Sequence, residues 1–328
     1  MRILVTGGAG FIGSNFVRRA LEGRYPTLDD AQVIVLDALT YSGNLANLDA
    51  VANSDRLTFI QGDIGNAALL DELLPGIDAI VHFAAESHVD RSVRDAGPFY
   101  VTNVLGTQVL YDAAVRARTP RVVHISTDEV YGSIETGSWT EQHILEPNSP
   151  YAASKASADL VARAWHQTHG LDVSITRCSN NYGPYHFPEK LIPLFVTNLL
   201  DGKHVPLYGD GENVRDWLHV DDHCDGIALV LAGGRAGEIY NIGGGTELTN
   251  RRLTELLLDA TDRDWSFVDA APDRKGHDRR YSVDCTKIST ELGYSPKVAF
   301  ADGLADVVEW YRENRAWWEP LLARAALA

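Results

Sequence analysis

Cysteine is scarce in this chain: Cys178, Cys224 and Cys285 are the only three. They lie far apart, are odd in number and fit no metal-ligand spacing, which argues against a disulfide framework or a zinc site. They read as ordinary packing thiols in a reducing compartment. No run of about 18 apolar residues occurs, so no membrane-spanning helix is expected. Positive charge is short too: 29 Lys and Arg stand against 45 Asp and Glu, a net charge of −16. That balance argues against nucleic acid and membrane surfaces as partners, because both are anionic. It leaves room for a small anionic ligand, since a few local Arg and Lys residues can override the mean field. Long blocks of like charge, repeats and low-complexity tracts are missing as well. The segment Met1-Arg2-Ile3-Leu4-Val5-Thr6 reads as a strand entering glycines rather than a signal peptide, and a cytoplasmic location is expected.

What is present is an ordinary globular composition over 328 residues, 45% hydrophobic and 23% charged. A chain of this length buries roughly three quarters of its unfolded surface. Short apolar runs at 3–5, 33–36, 57–60, 79–83 and 122–125 are rich in β-branched residues. Their near-continuous apolarity suits parallel strands covered on both faces. Helical patterns at about 11–22, 66–74, 98–117 and 150–169 lie among them, and 173–177 reads as one more strand. The alternation predicts a doubly wound, Rossmann-type α/β fold. After Cys178, turn chemistry such as Asn180-Asn181-Tyr182-Gly183-Pro184 breaks the pattern. The expected division is 1–178 with about 217–240 as the dinucleotide-binding domain. The rest, 179–216 with about 241–328, is a smaller mixed α/β substrate domain.

Gly7-Gly8-Ala9-Gly10-Phe11-Ile12-Gly13 follows the first strand and opens the first helix. Gly8, Gly10 and Gly13 satisfy G-x-G-x-x-G, whose glycines permit a tight turn and close approach of a pyrophosphate. Free N–H groups at the helix start then hold the phosphates. A glycine turn alone can be merely structural. Here it stands at the first strand-helix junction of a whole alternating domain. Asp37 ends the second strand 24 residues after Gly13, where a carboxylate holds ribose hydroxyls. A carboxylate there repels a 2′-phosphate, so NAD is expected rather than NADP. Asp63, Ala84 and Ala85 follow the third and fourth strands at the same sheet edge, although Asp63 can equally be a turn residue.

Tyr151 and Lys155 form Y-x-x-x-K, which puts both on one helix face. Lys155 is expected to hold the nicotinamide ribose and favour ionised Tyr151. Thr127, at the end of the fifth strand, supplies a hydroxyl partner, and Asp128 and Glu129 follow it. Such an acidic pair is often only a helix start. Beside a proton relay it suits elimination of water, in which one carboxyl takes a carbon-bound proton and the other protonates the departing hydroxyl. Ser87 and His88 follow the fourth strand and are placed to line a sugar pocket. Arg215, after Gly209-Asp210-Gly211, is the strongest diphosphate candidate, since a planar guanidinium matches that group. Arg274-Lys275-Gly276-His277 is a basic cluster in an acidic chain. His219 and His223 lack a third ligand for zinc, and no metal is expected. Trp310, Trp317 and Trp318 read as core or docking material for a final helix.

Together the glycine motif, Asp37, Thr127, Tyr151 and Lys155 resemble the extended short-chain dehydrogenase/reductase family over nearly the whole chain. Arg215-Asp216-Trp217-Leu218-His219-Val220 is similar to that family's marker near the second domain. Thr127 stands where the commoner set has Ser. The segment Thr127-Asp128-Glu129 resembles that of the dTDP-glucose 4,6-dehydratases within the nucleotide-sugar branch. The resemblance implies that Tyr151 deprotonates the C4 hydroxyl, Glu129 takes the C5 proton and Asp128 protonates the C6 hydroxyl. It implies NAD contacts at Gly7, Gly10, Phe11, Ile12, Gly13, Asp37, Asp63, Ile64, Ala84, Ala85, Ser87, Tyr151 and Lys155. It implies substrate contacts at Ser87, His88, Thr127, Asn180, Glu189, Lys190, Leu191, Arg215, Asn250, Arg274, His277 and Tyr281. A homodimer is implied through a four-helix contact of the helices near 98–117 and 150–169, with Val104, Leu105, Val109, Leu110, Leu160 and Val161 as candidates. The alternatives are a nucleotide-sugar 4-epimerase, a nucleotide-glucuronate decarboxylase and an NAD-sensing regulator. The first has no need of Asp128-Glu129, the second is repelled by it, and the third needs no proton relay.

Overall fold

The computed structural model describes residues 1–327. Its strands are β1 (Arg2–Thr6), β2 (Gln32–Asp37), β3 (Leu57–Gln61), β4 (Ala79–His82), β5 (Val122–Thr127), β6 (Val173–Cys178), β7 (Asn180–Tyr182), β8 (Val205–Tyr208), β9 (Val214–His219), β10 (Ile239–Ile242), β11 (Glu247–Thr249) and β12 (Val268–Ala271). Its α-helices are α1 (Phe11–Leu21), α2 (Ala67–Leu73), α3 (Val89–Arg94), α4 (Gly97–Tyr100), α5 (Thr107–Ala117), α6 (Pro150–His169), α7 (Leu191–Leu200), α8 (Val220–Gly233), α9 (Asn250–Ala260), α10 (Thr286–Leu292), α11 (Phe300–Glu313) and α12 (Arg315–Leu327).

Seven strands form one parallel sheet in the order β3-β2-β1-β4-β5-β6-β10. Alternate residues feed opposite faces. Ile3, Val5, Val33 and Val35 pack with Phe16 of α1 and Ile227 of α8. Leu4, Ile34, Leu36 and Ile80 pack with Leu110 and Tyr111 of α5. Burial on both faces explains why these strands show no polar alternation. The strand order reverses between β1 and β4, so the crevice at their carboxyl ends is the topological switch point where such sheets bind ligands.

Apart from α8, β10 and α10, which pack back on the large sheet, the chain after β6 builds a smaller body. Strand β9 pairs parallel with β7 and antiparallel with β11, and β8 pairs parallel with β12. Ile192, Phe195, Leu253, Leu257, Val307 and Trp318 fill its core. Two features escaped the sequence pattern. Helix α3 lies between the expected strand at 79–83 and the expected helix at 98–117, where no helix is predicted. The expected helix over 98–117 is helical throughout, but Val101–Gly106 is a π-helical turn between α4 and α5. Asn103, in that turn, accepts from Glu86 N at 2.8 Å and donates to Glu86 O at 3.0 Å and Ser154 Oγ at 2.8 Å. The wider turn accompanies a side chain committed outside its own helix.

Candidate active site

The glycine loop is shaped by exclusion of side chains. Gly7 has φ of +68°, and a Cβ there would lie 2.6 Å from Ala84 N. A Cβ on Gly13 would lie 2.3 Å from Gly7 O. Gly10 caps α1 without any side-chain hydrogen bond. The first N–H groups of α1 therefore face the cleft unblocked, an arrangement that fits a dinucleotide's diphosphate. Asp37 is buried, and its two oxygens accept from Ala9 N at 2.9 Å and Leu39 N at 2.8 Å. Each oxygen keeps a second lone pair for a ribose hydroxyl. Asp63 is a turn residue as well as a wall residue: its Oδ1 accepts from Gly65 N at 2.6 Å. Phe11, Ile12, Ile64, Ala84, Ala85 and Ser87 line the same cleft.

The catalytic candidates meet at the opposite end of that cleft. Ser149 caps α6 by accepting from Ala152 N at 3.1 Å, and Pro150 occupies the first turn. This start sets Tyr151 beside the ends of β5 and β6. Thr127 ends β5 and caps a 3₁₀ turn over Asp128–Tyr131, its Oγ1 accepting from Glu129 N at 3.3 Å. The acidic pair is thus a helix start and a cleft wall at once. Asp128 is 1% exposed, and its Oδ2 has no hydrogen-bond partner. Burial, then Glu129 and Asp216, push its carboxyl well above the usual range. Burial raises Glu129 as well, but Arg274, Lys190 and Arg215 act against that rise. The two carboxyls therefore sit in unlike environments. Thr127, Asp128, Glu129, Tyr151 and Lys155 all line the cleft.

Burial, then Glu129, hold the Tyr151 phenol well above its usual value, with Thr127's hydroxyl acting the other way. Lys155 donates its Nζ hydrogen to Ile125 O at 2.7 Å, and burial pushes its ammonium down to about 8. The backbone carbonyl, rather than the phenol, is its partner.

Of the predicted substrate residues, Ser87, Asn180, Glu189, Lys190 and Leu191 line the cleft. Lys190 donates to Ser87 O at 2.6 Å, and Glu189 Oε2 accepts from Arg91 Nε at 2.9 Å and Nη2 at 2.7 Å. His88, Arg215, Asn250, Arg274, His277 and Tyr281 stand behind or beside that wall. His88 caps α3, accepting from Arg91 N at 3.4 Å; burial, then Lys190, push it down to about 3, so it is neutral. Arg215 lies 4.1 Å over the Tyr281 ring and donates to Val214 O and Asp278 O. Tyr281 donates to Asp278 Oδ2 at 2.7 Å. Asn250 is buried, and His277 Nδ1 is 2.6 Å from Asp273 Oδ1. His219 caps α8, and His223 bonds Asn181 at 2.9 Å.

Several wall residues were not foreseen. Tyr41, Thr102, Ser179, Phe187 and Trp217 line the cleft. Arg91 stacks 4.0 Å over the Tyr41 ring while it binds Glu189, joining α3 to the approach of α7. No local pattern marks these residues. An isolated aromatic in the loop after β2 was the one signal for Tyr41.

The family described as GDP-mannose 4,6 dehydratase matches residues 4–307. A dTDP-glucose 4,6-dehydratase of Streptomyces niveus is 63% identical over 321 residues, 98% of this chain and 96% of that protein. The structure of DesIV, a dTDP-glucose 4,6-dehydratase from Streptomyces venezuelae with NAD and dTDP bound, superposes with a TM-score of 0.97 at 69% identity. It covers 98% of this chain and 100% of that one. A UDP-glucose 4-epimerase of Thermotoga maritima with UDP-glucose is more distant, at TM-score 0.88 and 33% identity, covering 96% of this chain and 100% of that one.

Proposed function

The chain belongs to the GDP-mannose 4,6 dehydratase family, and from that premise we propose that it dehydrates dTDP-glucose to dTDP-4-keto-6-deoxyglucose. The observation that carries this reading is the pairing of buried Asp128 with half-buried Glu129, in unlike environments, beside Thr127, Tyr151 and Lys155. NAD, when bound, supplies a hydride acceptor for C4 and returns the hydride to C6, so no net redox occurs. The bare glycine loop and Asp37 fit its diphosphate and ribose.

The chain's own residues move the protons. Tyr151, with Thr127 as partner, exchanges the C4 hydroxyl proton. A 4-keto group acidifies the neighbouring C5 hydrogen. Glu129, faced by Arg274, Lys190 and Arg215, is the carboxyl better kept ionised; it takes that hydrogen as a proton and gives one back to C5 when C6 receives its hydride. Asp128, dry and beside two other carboxylates, keeps its proton and gives it to the leaving C6 hydroxyl. Environments that separate two carboxyls in this way assign acid and base. Lys190 and Arg215 bring positive charge to the substrate's diphosphate side.

Incubation of dTDP-glucose with purified enzyme, without added reductant, tests the proposal by mass spectrometry and NMR. Loss of one water with a new C6 methyl and no net NADH is expected. Unchanged mass with conversion to the galactose form is the epimerase outcome and refutes it.

The same reading carries three subsidiary proposals. The division of the chain is 1–178 with about 217–240, and 179–216 with about 241–328. The assembly is a homodimer through the helices of 97–117 and α6, because Val101, Leu105 and Leu160 are 60%, 56% and 57% exposed. Leu110 is withdrawn from that contact, since it is fully buried against the sheet. The enzyme works in the cytoplasm, and no helix among the described residues is long and apolar enough to cross a membrane.

A further inference from the structure

The last helix reaches back across the molecule to the dinucleotide end of the cleft. Trp318 and Leu321 bury one side of α12, and Trp318 donates to Tyr311 O at 2.7 Å. From that anchor two side chains extend to the other body. Trp317 donates its Nε1 hydrogen to Asn47 Oδ1 at 2.9 Å. Asn47, itself buried, donates to Ala9 O at 2.9 Å, so this link ends on the glycine loop. About two helical turns beyond Trp317, Arg324 donates to Thr40 O at 2.9 Å and Gly43 O at 3.4 Å.

Thr40 and Gly43 flank Tyr41 and Ser42, and all four line the cleft beside Asp37. This loop has few holds of its own. Leu39 sits at a positive φ of 53°, a strained backbone for a residue with a Cβ. Its inner holds are Asp37 accepting from Leu39 N, Gly43 N donating to Thr40 O at 3.2 Å and Asn44 N donating to Ala9 O at 3.1 Å. Tyr41 is pinned from the cleft side by the Arg91 guanidinium and, edge-on, by Phe187 at 5.6 Å. From outside, the described contacts of its carbonyls are those with Arg324.

The helix that carries these holds is itself interrupted. Pro320 lies inside α12 between Trp317 and Arg324 and has no N–H to donate back along the helix. The segment bearing Arg324 is thus less firmly tied to the anchored segment bearing Trp317 than an unbroken helix would make it.

We propose that Trp317 and Arg324 are positioning residues for the cofactor pocket: α12 straps the Thr40–Gly43 loop over the adenosine end of the cleft and sets how fast NAD leaves. This rests on the NAD reading given above. It assigns α12 no part in proton or hydride transfer. A cofactor that returns its hydride each turnover need not exchange, and a strap of this kind keeps it in place.

The test compares the full-length parent with Trp317→Phe, Arg324→Gln and the double variant. Phe keeps the ring and removes only the N–H. Gln stays polar but is shorter and lacks the guanidinium fork, so it cannot reach both carbonyls. Each protein is loaded with radiolabelled NAD, chased with unlabelled NAD, and its release rate measured. A single hydrogen bond of ordinary strength predicts about five-fold faster release for each single variant and about twenty-fold for the double. At saturating NAD, kcat is expected within two-fold of the parent. Arg312→Gln, which breaks a pair with Glu309 on the neighbouring helix, is the control and is expected to release NAD at the parental rate. Parental release from the double variant overturns the proposal. So does a fall in kcat and melting temperature that matches the change in release, because that is the mark of general damage to packing. A parent that takes up no NAD overturns the cofactor reading itself, and is told apart by the absence of label from every protein.

Discussion

Asp159→Asn is the substitution that most directly separates the machinery behind the cleft from the residues lining it. Asp159 follows Lys155 by one turn of α6, and such positions have Cβ atoms about 5–6 Å apart. It is buried, its Oδ2 accepting from Arg177 Nε at 2.8 Å, with His124 Nε2 at 3.5 Å from Oδ1. Burial alone would raise its carboxyl, but Arg177 and then His124 outweigh burial and hold it at about 2. Its negative charge in turn supports the buried Lys155 ammonium, already pushed down to about 8. At about 6 Å and an effective dielectric of about 20, unit charges attract by about 2.8 kcal/mol. Since about 1.4 kcal/mol is one pKa unit, and Arg177 absorbs part of the field, Asn should lower Lys155 by about one unit. A charged Lys155 is the working form, so activity is lost as pH rises through its pKa. The alkaline limb of kcat/KM is therefore expected near pH 8 in the parent and about one unit lower in the variant. Activity below pH 6 should be retained to a greater extent than activity at pH 8. The assay is the pH profile of product formation, with circular dichroism to exclude unfolding. An alkaline limb at the same pH in both proteins refutes the coupling.

Asp128→Asn and Glu129→Gln should each lower water elimination by about 10²- to 10⁴-fold, the ordinary range for one acid or base; mass spectrometry of the product checks it, and an active double variant refutes the pair's role. Gly13→Ala places a Cβ 2.3 Å from Gly7 O, so NAD binding measured by calorimetry should fall by at least ten-fold. Leu105→Glu with Leu160→Glu puts charge on two exposed apolar sites and is expected to give monomers by light scattering at micromolar concentration, against the dimer proposed for the parent; a parent that is itself monomeric refutes the dimer. Arg215→Ala removes the guanidinium stacked on Tyr281 and facing both carboxyls; it should weaken dTDP-glucose binding far more than NAD binding.

The parts of the fold legible in the sequence were those where one local rule decides. Six of the seven sheet strands were visible because burial on both faces writes an apolar run. The seventh, β10, is Ile239-Tyr240-Asn241-Ile242, where a buried Asn breaks the run while bonding Trp139 O and Tyr131. The glycine loop was legible because backbone crowding excludes any Cβ, and the Tyr151-Lys155 spacing because helix geometry fixes it. Helix α3 was not, because its six residues offer no full period and its cap is a histidine. Polar and charged partners that come from distant segments were not legible. Nothing near Lys155 in sequence indicates that Ile125 O takes its hydrogen bond, and nothing near Asp128 indicates Asp216.

The late arrival of β10 has a consequence for synthesis of the chain. Strand β6 pairs with β5 on one side and β10 on the other. All of β7, α7, β8, β9 and α8 lies between β6 and β10 in sequence. At roughly 5–20 residues per second, a ribosome takes several seconds to cover that stretch. Throughout it, β6 is an open edge of unpaired N–H and C=O groups, the kind of template that recruits other strands. The nascent enzyme is therefore most exposed to aggregation after its cofactor fold is almost complete, and a helper that shields β6 would act in that interval.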